Sequence, residues 1–334
     1  MTAELALRTS VGLLPVLCFL AAMRLFDSYK LVHLKPTLAM IAAGALGAVA
    51  SYWIGAAVIG GFDLEFRAYS RYIAPPVEEL LKGAIIVWLV ARHRVAFLVD
   101  AAIHGFAVGT GFAVIENLMY WQGQPDATLA VWVARGAGTA LMHGGATALV
   151  AMAAVSTPPQ RRNAASLTVA LLPAFLLHGL FNRFLLSPVL SAALIVLVLP
   201  GLMILVFRRG ERAFAEWLNL GFDADTELLE LILSGRVSGS PVGTYLEALR
   251  HRFEGHVVAD LLNWLRLHLE LSLAAKGLLL MREAGFTPEP DPETQGKLAE
   301  LHWLETSIGP TGKLAMAPFL RHGSRETWQR SLLR

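Results

Sequence analysis

Seven mostly apolar stretches dominate residues 1–207: Val11–Phe26, Leu38–Gly60, Pro75–Val90, Ala96–Tyr120, Gly136–Val155, Leu167–Leu186 and Val189–Phe207. Each approaches the roughly 20 residues that carry a helix across the hydrocarbon of a bilayer. The first and third are short, and the third is broken near its start by the adjacent carboxylates Glu78 and Glu79. Only Ser187-Pro188 separates the last two, which predicts a tight re-entry.

Near Arg208 the pattern changes. Polar residues now alternate with apolar ones at helical spacing, predicting helices over Asp225–Leu233, Thr244–Ala284 and Glu293–Ser307. In the longest, Leu246, Leu249, Phe253, Val257, Leu261 and Leu265 recur at steps of three and four, an amphipathic stripe. Arg266, His268, Glu270 and Lys276 interrupt its apolar part, so it is not an eighth span. Prolines in Thr287–Pro292 mark a linker. The expected fold is therefore all-α: a polytopic transmembrane bundle of about seven spans over 1–207, followed by a cytoplasmic helical tail domain over 208–334.

Composition agrees with that division. The chain is 55% hydrophobic and 16% charged, with a mean hydropathy of +0.53. A soluble domain carries about 25% charged residues. The net charge of +2 gives no reason to expect nucleic acid as a partner. The single cysteine, Cys18, lies in an apolar run, which excludes a disulfide framework or thiolate metal cluster. The first apolar run has no small-residue cleavage site after it and reads as a retained anchor.

Lys and Arg in the short flanks set the expected orientation. With seven spans, Arg24, Lys30, Lys35, Arg92, Arg94, Arg161, Arg162, Arg208, Arg209 and Arg212 share one side, against Arg8, Arg67, Arg71, Arg135 and Arg183 on the other. This predicts a multi-pass protein of the plasma membrane with its N-terminus outside and its tail in the cytoplasm. Trp53, Trp121 and Trp132 would then lie towards the outer interface.

Nine acidic residues precede the tail, and Glu78, Glu79, Asp100 and Glu116 fall within spans or at their ends. Asp100 is expected at the interface. Glu116 follows sixteen residues later, about 24 Å along a helix, which puts it close to the outer surface. Glu78 and Glu79 lie about a turn into the third span, His143 about two turns beyond Arg135, and His178 about two turns from the outer end of the sixth. Four spans thus place acids and bases at one depth. Singly, each has an ordinary reading: an acidic pair at a helix N-terminus, a hydrogen-bonded carboxyl, packing histidines. His251, His256, His268 and His302 in the tail lack metal-ligand spacing.

Local spacing adds detail. Glu78 and Lys82 are four apart, the favourable order for an ion pair. Phe112 and Glu116 are four apart, as are His178 and Asn182. Glycines cluster around Glu116 and His143, permitting close helix packing. Carboxylates, imidazoles and a carboxamide in a lipid-shielded pocket suit activation of water, with one carboxylate as general base. A His and an Asn could donate to a developing oxyanion. Glu79, Glu116, His143 and His178 could also hold zinc with water in the open position. Residue types alone leave the glutamic and metal mechanisms both open.

The motifs EELLK (Glu78–Lys82), FAVIEN (Phe112–Asn117), LMHGG around His143 and HGLFN (from His178 to Asn182) resemble the PrsW family of intramembrane proteases. That family is distantly similar to the CAAX prenyl endopeptidase superfamily, whose motifs read EExxxR, FxxxH and HxxxN. The resemblance implies a peptidase cutting membrane-anchored proteins, in PrsW itself an anti-sigma factor on the extracytoplasmic side. It implies that Glu78 and Glu79 supply the base and its support, that Glu116 stands where the superfamily has its FxxxH histidine, and that His178 and Asn182 line the oxyanion. The chain departs from the superfamily at Glu116 and in the shorter spacing to Lys82. Two other classes remain compatible with buried charge: an ion- or proton-coupled transporter, and a non-catalytic scaffold whose tail binds a cytoplasmic partner.

Overall fold

The computed structural model describes residues 3–92, 94–124, 126–157, 161, 163–183, 185–289, 291–319 and 332–333. Arg162, Phe184 and Pro290, which fall in a predicted flank, span and linker, and the tail positions 320–331 lie outside these. Among the described residues every regular element is helical. The chain divides into two compact units, Met1–Glu211 and Arg212–Arg334.

Helices stand at all seven apolar stretches: α1 (Ala3–Leu25), α2 (Leu34–Phe62), α3 (Ala74–Ala91), α4 (Leu98–Gly123), α5 (Leu141–Ser156), α6 (Ala164–Asn182) and α7 (Pro188–Leu233). Among the described residues, five helical segments are long and apolar enough to cross a membrane: Leu34–Phe62, Leu98–Gly123, Leu129–Ser156, Ala165–Asn182 and Pro188–Leu233. The third predicted span falls short on charge, since α3 carries Glu78, Glu79 and Lys82 within 18 residues. The exposed apolar side chains of α2 and α7, Leu46 and Leu197 among them, face outward as lipid-facing side chains do.

At the centre of the unit, α4 and α5 are buried along most of their length, and they pack closely because their contacts are small. A Cβ at Gly109 of α4 would collide with the His143 backbone, and one at Gly44 of α2 with the carbonyl of Val108. Each glycine therefore sets the approach of a whole helix, and with it the reach of the polar side chains between them.

Two π-helical turns interrupt the α geometry, at Tyr69–Ile73 just before α3 and at Arg135–Ala140 just before α5. Asp100 is buried and caps α4, accepting from the backbone N–H groups of Ala96, Phe97 and Ala101. Trp132 is also buried, its ring edge-on to Tyr120.

In the second unit α8 (Pro241–Leu249), α9 (Gly255–Glu283) and α10 (Pro292–Met316) enclose a core around Leu261, Trp264 and Leu265. The expected helix Thr244–Ala284 is thus two helices. Gly255 opens the second, after a turn in which the amides of Arg252 and Phe253 both fold back to Leu249 O. The stripe survives the break, with Leu246, Leu249, Leu261 and Leu265 buried. In α10 the backbone leaves helical geometry at Gly309, before Pro310, two residues beyond the predicted end at Ser307. The change in composition at Arg208 does not break the helix, because α7 runs on to Leu233.

Candidate active site

The residues Glu78, Glu79 and Lys82 enter from α3, Phe112 and Glu116 from α4, His143 from α5, and His178 and Asn182 from α6. Seven of the eight are joined by a continuous chain of contacts, and Asn182 lines the cavity beside them. Glu116 Oε2 lies 2.7 Å from His143 Nε2. His143 Nδ1 lies 2.9 Å from Lys82 Nζ, which donates to Glu79 Oε1 at 2.5 Å. The same carboxylate oxygen lies 2.8 Å from His178 Nδ1. His178 Nε2 then faces Glu78 Oε2 at 3.8 Å, too long for a hydrogen bond. Phe112 forms one wall, its ring 5.2 Å from the His143 ring and 4.7 Å from the Lys82 ammonium.

These contacts fix the proton positions. An ammonium has no acceptor capacity, so His143 Nδ1 accepts from Lys82 and Nε2 carries the hydrogen given to Glu116. Glu79, ion-paired to Lys82 with both side chains fully buried, accepts from His178 Nδ1–H. In the neutral ring the lone pair then sits on Nε2, which faces Glu78.

The ion pair expected between Glu78 and Lys82 does not form; Lys82 takes Glu79 instead. Successive helix residues differ by about 100° in direction. Glu79 turns into the packed core, and Glu78 turns towards a cavity of about 580 Å³. The cavity lies beside the second half of α2, from Ala48 to Ile59, and is also lined by Tyr69, Glu116, Tyr120, Arg135 and Asn182. Glu78 Oε2 is buried without a hydrogen-bond partner among the described residues.

Asn182 has a backbone task. In the π turn the amide of Ala74 bonds to Tyr69 O, so the matching donor for Ser70 O would be residue 75. That residue is Pro75, which has no N–H. Asn182 Nδ2 donates to the orphaned Ser70 carbonyl at 3.1 Å, tying α6 to the start of the Glu78–Glu79 helix. Its carboxamide keeps one N–H beyond this bond.

One residue of the cluster was counted from sequence only as a flanking charge. Arg135 donates from Nη2 to Glu116 Oε1 at 3.1 Å and from Nε to Asn117 Oδ1 at 2.8 Å. Its guanidinium lies 4.0 Å from the Tyr120 ring centroid. Two turns of an ideal α-helix take about 7.2 residues. The wider π turn adds a residue, so Arg135 and His143, eight apart, reach the two oxygens of one carboxylate. On an ideal α-helix residues eight apart share one broad face about 80° apart, and the π turn brings them closer into line.

The described residues gather one group with the chemistry of a metal site, Glu78, His143 and His178, whose ligand atoms lie within 4.8 Å of one another. The set expected from sequence had Glu79 and Glu116 in place of Glu78. The geometry gives those two to Lys82 and Arg135, as carboxylates that orient the histidines. The gathered group fits a divalent ion in donor type, with a buried carboxylate oxygen lacking a partner and an imidazole lone pair aimed at it. His143 has both ring nitrogens engaged and would release one on binding.

No match was found among characterised proteins or among solved structures. A family model described as PrsW family intramembrane metalloprotease matches residues 33–207, more than half of the chain, and that stretch runs from the start of α2 past every residue of the cluster. The buried acids and bases therefore sit inside the matched region, and the chain belongs to the PrsW family of intramembrane proteases.

Proposed function

We propose that this protein hydrolyses a peptide bond of a membrane-anchored protein, with Glu78 as the group that activates water. The observation that carries the reading is the contrast between two neighbouring carboxylates. Each has a buried Oε2 without a partner among the described residues, but Glu79 is fully buried and locked through Oε1 to Lys82 and His178, whereas Glu78 borders the cavity. A base must be free to take a proton and give it back, and only Glu78 has that freedom.

In this scheme water lies in the cavity between Glu78 and the scissile carbonyl. Glu78 takes its proton as the oxygen attacks the carbonyl carbon, and then delivers it to the leaving amine. His178 stands beside Glu78, its Nε2 3.8 Å away, and Glu79 fixes the imidazole by its Nδ1–H. The remaining N–H of Asn182 meets the developing oxyanion. If a metal is bound, Glu78, His143 and His178 would hold it, and it would supply Lewis-acid polarisation of the carbonyl or water.

The cavity also supports an access route. Helices α2 and α4 touch backbone to backbone at Gly44 and Val108, and the cavity opens beyond them along Ser51, Gly55 and Ile59. An extended substrate segment could enter there from the lipid. An anti-sigma-factor-like protein, cut on the extracytoplasmic side of the plasma membrane, fits the depth and orientation read from the flanking charges.

Purified protein in proteoliposomes with a single-span reporter tests this. Wild type should cleave, and Glu78→Gln should lose cleavage while keeping its unfolding temperature. Full activity in Glu78→Gln would reject the assignment. Loss of cleavage with a chelator, restored by zinc, would place a metal in the reaction.

A further inference from the structure

We propose that Arg135 is a positioning residue for the hydrolytic reaction, aligning the cluster from the end opposite Glu78. This rests on the function proposed above.

Arg135 is anchored at Nε by Asn117, whose own Nδ2 donates to Gly12 O of α1 at 3.0 Å. Its planar face is held against Tyr120. The fork is therefore fixed before it meets Glu116, and Arg recognises a carboxylate best as a preorganised plane. Glu116 needs that anchor. Its side chain is 34% exposed to the cavity and touches His143 through a single oxygen. With Arg135 on Oε1, Oε2 stays on His143 Nε2–H and fixes the tautomer, leaving Nδ1 to receive Lys82. Lys82 is then aimed at Glu79, and Glu79 at His178. Without Arg135, Glu116 is free to turn into the cavity, and His143 loses the acceptor that selects its tautomer. Among the described residues Arg135 meets Glu116, Asn117 and Tyr120 rather than Glu78 or His178, so it acts through the others.

Cleavage kinetics of Arg135→Ala and Arg135→Lys, with and without guanidinium ion, test this. Misplacing a catalytic group by about 1 Å costs on the order of 100-fold. Arg135→Ala should therefore lose about 100-fold in kcat, with KM changed by less than about threefold, as expected for a residue that does not hold substrate. Because Arg135 lines the cavity, tens-of-millimolar guanidinium should enter the vacated place and restore kcat by at least about tenfold, while sodium chloride at equal ionic strength should not. Should Arg135→Ala fail to fold, Arg135→Lys keeps the charge but loses the Nε anchor, and should still lose about tenfold in kcat. Wild-type kcat in either variant, a defect confined to KM, or a folded Arg135→Ala that guanidinium does not rescue would overturn the proposal. Glu78→Ala separates the two ideas. If it stays active the hydrolytic reading fails, and if it is inactive while Arg135→Ala is at full rate only the positioning role fails.

Discussion

Replacing Lys82 by Met should destabilise the first unit more than any other single change in the cluster. The Lys82 and Glu79 side chains are both fully buried, and the ammonium lies 2.5 Å from Glu79 Oε1 and 2.9 Å from His143 Nδ1. Removing it leaves a carboxylate in the core with only the His178 Nδ1–H, since Glu79 Oε2 has no partner among the described residues. Breaking a buried pair from one side costs about 3–5 kcal/mol. A domain of this size loses about 2–4 °C per kcal/mol, so the apparent Tm should fall by about 6–20 °C. Neutralising both partners is much cheaper, because no charge is left stranded. The Glu79→Gln/Lys82→Met protein should thus be more stable than Lys82→Met alone, with a coupling of about 2–3 kcal/mol. Tryptophan fluorescence during heating in nanodiscs reads all four corners of the cycle. A Lys82→Met protein within about 2 °C of wild type, or additive single variants, would refute the reasoning.

Other consequences follow from the same geometry. Gly109→Leu forces α4 away from the His143 backbone, so cleavage should be lost and stability lowered by about 1–3 kcal/mol, measured by activity and heating together. Gly55→Leu would crowd the cavity wall against Tyr69 and should depress cleavage of a full-length reporter without a large fall in Tm. Asp27, in the turn after α1, is pushed up from 3.8 to about 6 by burial. A carboxyl with a raised pKa in the folded state binds its proton more tightly there than when unfolded. Its contribution is therefore full below about pH 4 and declines as pH rises to about 6, and Asp27→Asn should flatten that part of the Tm profile. In the second unit Asp225 accepts from Lys276 and Ser272, each at 2.6 Å, so Asp225→Ala should destabilise the tail by about 3 kcal/mol in thermal unfolding.

The helical elements were legible because apolar runs of span length leave few alternatives, and the cluster because acids and bases on four helices shared a depth. The partners within it were not. Glu78 and Glu79 are neighbours on one helix turn, and the packing of α5 and α6, not the spacing along α3, decides which of them meets Lys82. Arg135 was hidden for a different reason. Its distance from His143 leaves the two about 80° apart on an ideal α-helix, and the π turn at Arg135–Ala140 brings them into line on one carboxylate. Asn182 looked like an oxyanion donor, yet the missing N–H of Pro75 gives it a carbonyl to satisfy. In the tail, hydrophobic periodicity ran on through residues 250–254 because a stripe can keep its phase across a short break.

The central claim is that water, activated beside Glu78, attacks a peptide bond within reach of the cavity. Cleavage of a single-span reporter under single-turnover conditions, with enzyme in excess and in ¹⁸O-labelled water, tests it most directly when the new carboxyl terminus is read by mass spectrometry. The account predicts one ¹⁸O atom in that carboxylate for wild type and no product for Glu78→Gln. Unlabelled product from wild type, or labelled product from Glu78→Gln, would contradict it.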